Sequence, residues 1–155
     1  TLSTCGVVPY IKRLGEIKCG FNLAVSLHSA DNEIRSEIMP VNRRWEIDEL
    51  IKTVKEYSEK NRQRIAFEYI LIDKLNDTAE QAEKLAALVK DINCFVNLIP
   101  YNATDNSQYK RSENADAFFD ILKKHGINAI FRREFGGSIK AACGQLCAEC
   151  AEYRQ

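Results

Sequence analysis

The sequence predicts a single-domain α/β fold, on three observations. Short apolar runs alternate with amphipathic stretches from one end of the chain to the other. Each run is bounded by polar residues, Gly or Pro, as expected for strands buried on both faces of a parallel sheet. Strand and helix signals take turns without a meander, so the connections are crossovers, right-handed by the general rule.

The elements follow in order. Thr1 to Ser3 read as the end of a first strand running into a turn at Gly6, and a short helix fits Pro9 to Leu14. Leu23 to Leu27 form a second apolar run, followed by a short helix over Glu33 to Ile38. Ile47, Leu50, Ile51, Val54 and Tyr57 then fall at helical spacing and give one apolar face. Ile65 to Ile72 are the third strand. Behind them Thr78 and Gln81 stand at capping-box spacing, ahead of the helical face Ala82, Leu85, Ala86 and Val89. Cys94 to Ile99 are the fourth strand. Ser112 is the expected N-cap of a helix carrying Ala115, Phe118, Phe119 and Leu122, with Gly126 as its stop. Ile127 to Phe131 are the fifth strand, and a last short helix is expected after Ser138. Five such strands make either a small doubly wound sheet or an arc of a (β/α) barrel; in both, ligands gather at the C-terminal strand ends.

Composition narrows the function classes. The 155 residues carry 22 basic and 22 acidic side chains, so no net field draws the chain to nucleic acid or an anionic membrane. An RNA partner would have to be met by local clusters or by a region outside this chain. No apolar run approaches the roughly 18 residues of a spanning helix, and no secretory signal opens the chain. The cytoplasm is therefore the expected compartment. Six cysteines there point to thiol, redox or metal chemistry rather than a disulfide scaffold. The start inside a strand, without an initiating Met, reads as a piece cut from a longer protein.

Unusual polar residues collect at the strand ends: Ser3-Thr4-Cys5-Gly6, then Ser26-Leu27-His28 with Ser29-Ala30-Asp31-Asn32, then Asp73, then Asn97-Leu98-Ile99-Pro100-Tyr101-Asn102. Singly, such residues cap helices and build turns. Together they can fix a polar ligand such as a nucleoside.

Their order is more specific than their types. Thr1 to Thr4 with Gly6-Val7-Val8-Pro9 come first, then Ser26-Leu27-His28, Glu33-Ile34-Arg35 and Met39-Pro40-Val41-Asn42-Arg43. Phe67-Glu68-Tyr69, Asn76-Asp77, Asn97-Leu98-Ile99-Pro100 and Ala141-Ala142-Cys143-Gly144-Gln145-Leu146 follow. The series resembles the radical S-adenosylmethionine (SAM) dual-specificity RNA methyltransferases, the RlmN/Cfr family, from Thr1 to about Leu146. The resemblance implies the C-terminal part of an open (β/α) barrel, beginning at its third strand. The loop that ligates a [4Fe-4S] cluster, and an accessory domain, would then lie upstream. It implies Ser3, Ser26, Leu27, His28 and Asn102 around SAM, and Cys143 as a methyl-carrying catalytic residue. No metal ligand is expected within the chain itself. The implied substrates are 23S rRNA and also tRNA, methylated on an adenine carbon with an electron donor serving the cluster. Carbon 2 and carbon 8 of adenine are not distinguished. The chain alone is expected to be inactive and, with an unpaired edge strand, to self-associate.

A carrier cysteine fits that chemistry. A ring carbon of adenine between two nitrogens is too electron-poor to attack the methyl of SAM, whereas a thiolate attacks it readily. The resemblance implies that one SAM methylates the cysteine, a second supplies a radical at the cluster, and a disulfide with an upstream cysteine releases the product. Cys143, Cys147 and Cys150 also show the Cys-x-x-x-Cys-x-x-Cys spacing of a cluster loop. We read that spacing as accidental, because almost nothing follows it and no aromatic precedes Cys150. Cys5, Cys19 and Cys94 have no site-like spacing. The basic pairs Arg43-Arg44, Lys110-Arg111, Lys123-Lys124 and Arg132-Arg133 are candidates for phosphate contacts. The rival reading is a non-catalytic α/β module that binds a nucleotide or RNA.

Overall fold

A computed structural model of the chain describes residues 1–17, 20–103 and 107–132. Five strands, β1 (Leu2–Thr4), β2 (Leu23–Ser26), β3 (Ile65–Leu71), β4 (Cys94–Pro100) and β5 (Ala129–Phe131), form one sheet in the order 1-2-3-4-5. Every neighbouring pair is parallel. Between them run α1 (Val8–Glu16), α2 (Asn32–Ile38), α3 (Ile47–Asn61), α4 (Ala79–Val89) and α5 (Ala115–Lys124), with a 3₁₀ turn at Pro40–Arg43 that sequence patterning did not suggest.

This order resolves the choice left open by the sequence. Each crossover steps in the same direction, and right-handed crossovers stepping one way place every helix on the same face. The sheet is thus an arc of a barrel rather than a doubly wound sheet. Burial agrees: Leu23, Val25, Leu27, Ile65, Phe67, Tyr69, Leu71, Val96 and Leu98 join Leu50, Val54, Leu85, Val89, Phe118 and Leu122 in one core. The alternate strand residues, Ser26, Glu68, Ile70, Asn97 and Ile99, are only half-buried and line the opposite, open face.

Local chemistry sets the helix ends. Pro9 opens α1, where its missing N–H costs nothing. Asp31 caps α2 by accepting from the backbone N–H groups of Glu33 and Ile34. Thr78 caps α4 through Gln81 N–H, but the return half of the capping box is missing, since buried Gln81 Oε1 accepts no hydrogen bond among the described residues. The expected cap at Ser112 is displaced. The N-cap of α5 is Asn114, while Ser112 accepts from Asn114 N–H and donates to Asp77 Oδ2 at 2.6 Å. That acceptor, a carboxylate 35 residues away, outcompetes the local capping position. Gly126, at φ +74°, ends α5 as expected. The helix expected after Ser138 lies outside the described residues. Among the described residues no helix is long and apolar enough to cross a membrane.

Candidate functional site

Register defines the open face. Ser3 pairs with Ala24, Ala24 with Ala66 and Ala66 with Phe95, while Ser26 pairs with Glu68, Glu68 with Asn97 and Asn97 with Ile130. Side chains two apart on a strand share a face, so Ser3 and Ser26 lie on the open side. Ser26 stands directly beside Glu68 and Asn97. Within that row Asn97 Nδ2 donates to Glu68 Oε2 at 2.8 Å, and Asn97 Oδ1 is buried with no donor among the described residues.

His28 follows at the tip of β2 with φ +60°, a conformation uncommon outside glycine. Its Nδ1 accepts from Ile70 N–H at 3.2 Å, which fixes the neutral tautomer with the proton on Nε2. Burial pushes the His28 pKa down to about 4, the Arg35 cation adds to the depression, and the Glu68 backbone acts upward. The imidazole is therefore uncharged at neutral pH and offers a hydrogen bond rather than a charge.

Two buried polar side chains hold these tips. Asn76 Nδ2 donates to the carbonyls of His28 and Ile70, each at 2.7 Å, and Asn76 Oδ1 accepts from Ile72 N–H at 2.8 Å. Tyr69 Oη locks the Asn76 carbonyl at 2.7 Å. Arg35, fully buried, spans the other side. Its Nε donates to the Leu27 carbonyl at 3.0 Å, and Nη2 donates to the Cys5 and Ser26 carbonyls at 2.9 and 3.2 Å. Nη1 donates to Asn42 Oδ1 at 2.8 Å. Gly6 permits this approach: a Cβ there would lie 3.0 Å from Leu50 Cδ2 and 3.2 Å from Arg35 Nη2.

The expected SAM-binding residues thus take different places. Ser3, Ser26 and His28 gather at the ends of β1 and β2. The Leu27 side chain is buried in the helix-side core, with its N–H bonded to the Glu68 carbonyl and its own carbonyl to Arg35. Asn102 is exposed just beyond β4. Cys143, Cys147 and Cys150 lie outside the described residues. Sequence reasoning did not single out Glu68 or Arg35 as site residues, and it met Asn97 only as the start of the strand-end run Asn97 to Asn102. A lone charge inside the apolar run Ile65 to Ile72 was the available signal for Glu68.

Among the described residues no group of three His, Cys, Asp or Glu side chains could hold a metal ion. Cys5 is exposed and Cys94 half-buried; burial raises the Cys94 thiol to about 11 against the pull of Arg64, which leaves it unreactive. Of the basic pairs, Arg44 lies over the Trp45 ring and Lys123 near the Phe119 ring. Lys110 and Arg111 sit on a loop docked on β3, where Asp73 N–H donates to the Lys110 carbonyl.

Comparison with known proteins places this site in context. The chain is 47% identical over 149 residues to a probable dual-specificity RNA methyltransferase RlmN of Spiroplasma citri, covering 96% of this chain and 43% of the relative. It is 48% identical over 151 residues to the Staphylococcus haemolyticus counterpart, covering 96% and 42%. By sequence, the chain is a relative of the RlmN-type RNA methyltransferases. It spans less than half the length of these curated relatives. No family model matches it. The crystal structure of a radical SAM methyltransferase from Sphaerobacter thermophilus superposes with a TM-score of 0.87 at 43% identity, over 92% of this chain and 42% of that one. A domain of a pyruvate-formate lyase-activating enzyme from Bacteroides vulgatus, 16% identical, shares the fold alone at a TM-score of 0.59, over 85% of this chain and 98% of that one.

Proposed function

We propose that this chain is the SAM-binding, methyl-carrying part of a radical SAM enzyme that methylates an adenine carbon in 23S rRNA and tRNA. The observation that supports it best is the polar open face. Ser3, Ser26 and a neutral His28 converge at the C-terminal strand ends, in a sequence 45–48% identical to RlmN-type enzymes. The donors and acceptors there fit an uncharged nucleoside moiety such as that of SAM. SAM and a [4Fe-4S] cluster would supply the methyl group and the radical, with the cluster ligands upstream and an electron donor feeding them. This chain's own residues would hold the nucleoside, keep water from it, and bring the Cys143 thiol to the methyl group and then to the base. The compartment is the cytoplasm, and the chain alone is inactive.

The test is methylation of 23S rRNA fragments by the intact enzyme, read by mass spectrometry of adenosine. Cys143→Ala should abolish transfer while SAM still binds, and wild-type enzyme should carry a methyl group on Cys143. Adenine methylation by Cys143→Ala overturns the assignment. Formation of 5′-deoxyadenosine by residues 1–155 alone overturns the upstream placement of the cluster.

A further inference from the structure

Asp77 is 1% exposed, and a carboxylate is seldom buried unless a cation pairs with it. Among the described residues it makes no ion pair. Its partners are neutral groups on two loops at the C-terminal strand ends. Oδ1 accepts from Lys74 N–H at 2.9 Å, just beyond β3. Oδ2 accepts from Ser112 Oγ at 2.6 Å and from Asn114 Nδ2 at 3.3 Å, in the segment that follows β4. The first bond holds Lys74 at φ +58°, a left-handed conformation uncommon outside glycine. The others tie down residues 107–114, which include no Val, Leu, Ile or Phe and so lean on polar bonds. Two more contacts draw the loops together: Asp73 N–H donates to the Lys110 carbonyl at 3.0 Å, and Ile72 bridges Arg111.

Each loop presents a lysine. Lys74 and Lys110 are exposed, and neither ammonium has a partner among the described residues. Half-buried Asp73 lies between them but deeper. The nearby guanidinium groups differ, because Arg111 and Arg132 border a cavity of about 410 Å³ that Glu113 and Asp116 also line. With 22 basic and 22 acidic side chains in the chain, a polyanion has to be met by such a local, uncompensated pair.

We propose that Asp77 is a positioning residue that fixes Lys74 and Lys110 as a pair of phosphate contacts for RNA beside the strand-end site. This rests on the reading that the intact enzyme methylates RNA. Contacts of this kind set the register of a strand and carry no sequence information. The adjacent Asn76 holds the carbonyls of His28 and Ile70. Consecutive side chains thus divide the work, Asn76 fixing the strand tips and Asp77 the loops that receive the RNA.

The experiment uses the intact enzyme and a 23S rRNA fragment. RNA affinity is read by filter binding over a salt series, methylation by steady-state kinetics, and SAM affinity by calorimetry. Lys74→Gln and Lys110→Gln should each weaken RNA about fourfold near roughly 0.15 M salt and flatten the salt slope by about 0.7. Lys52→Gln, exposed on α3, should change neither. Asp77→Asn keeps the shape but turns N–H groups toward Ser112 and Asn114. It should raise the RNA KM on the order of tenfold, with kcat and SAM affinity within about twofold of wild type. Adding Lys110→Gln to Asp77→Asn should cost less than about twofold more, since both act through one contact. Ser112→Ala should follow Asp77→Asn, and Ser112→Thr, which keeps the hydroxyl beside an open cavity, should restore wild-type behaviour. If circular dichroism shows Asp77→Asn unfolded, the Ser112 and lysine variants decide. A full Lys110→Gln loss on top of Asp77→Asn or Ser112→Ala, or kcat and SAM affinity falling together with RNA affinity, overturns the positioning role. Lysine variants that bind RNA like wild type overturn the contacts and leave RNA methylation standing. A wild-type enzyme that neither binds nor methylates RNA takes the proposed function down as well.

Discussion

Replacing Arg35 with Met should be among the most damaging single changes in this chain. The methionine stem fills much of the arginine volume, so the loss is polar rather than a cavity. It removes donors from the carbonyls of Cys5, Ser26 and Leu27 and from Asn42 Oδ1, all held at 2.8–3.2 Å. Each buried acceptor left unpaired costs about 1–3 kcal/mol, but relaxation and water entry recover part of the sum. With four neutral acceptors losing their donor at once and part of the sum recovered, we expect about 4 kcal/mol here. With a urea slope near 2 kcal/mol/M, the midpoint should fall by about 2 M. Arg35→Lys keeps the charge but not the fork, and should lose about half as much. Hydrogen exchange gives the local readout. The amides of Leu27 and His28, bonded to the Glu68 carbonyl at 3.0 and 3.2 Å, should speed up more than that of Val96 at 2.8 Å from the Asn128 carbonyl. An Arg35→Met midpoint within 0.5 M of wild type (roughly 1 kcal/mol), or uniform exchange across the sheet, would refute the clamp.

Stability should also fall with acid through His28. Its folded pKa of about 4 lies below its ordinary 6.5, so the unfolded chain binds the extra proton first. The contribution is complete above pH 6.5, shrinks as pH drops toward 4, and totals about 3 kcal/mol at most. His28→Asn should flatten that slope in denaturation series; an unchanged slope removes His28 as its source. In the intact enzyme Cys147→Ala and Cys150→Ala should each keep iron content and methyl transfer, and loss of about four irons with activity would make the C-terminal triplet the cluster site. Finally, β1 and β5 each pair on one side among the described residues, with Leu2 41% and Ile130 47% exposed. Residues 1–155 should therefore self-associate, and a clean monomer by light scattering at high concentration would count against it.

The sheet was legible because its strands are short apolar runs with sharp polar ends, and all five fall within two residues of where patterning put them. The order of the strands was not, since a barrel arc and a doubly wound sheet write the same alternation of runs. The strand-end positions of Ser3, Ser26 and His28 were legible because polar residues at strand tips stand out against apolar neighbours. Arg35 could not. In a short helix between Ile34 and Ser36 it reads as a solvated surface charge, and its partners are carbonyls from 8 to 30 residues away. Ser112 misled for the same reason, its strongest partner Asp77 being distant in sequence. Glu68 lay within a quoted motif, yet its meaning came only from the register that sets Asn97 beside it.

The strictly sequential strand order has a consequence for how the molecule is made. Each strand pairs only with its neighbours in the chain, at separations of 21 residues from Leu2 to Leu23, 42 from Leu23 to Ile65, 29 from Ile65 to Cys94 and 33 from Val96 to Ala129. No strand has to wait for a later one to be slotted between itself and its neighbour. On the ribosome, each newly emerged strand finds its template already laid down and carries its covering helix with it. Growth from one end exposes one new edge at a time, beside the outer edge of β1. The row of Ser26, Glu68 and Asn97 is assembled in that same order, complete once β4 has docked and before the residues that follow β5 are made.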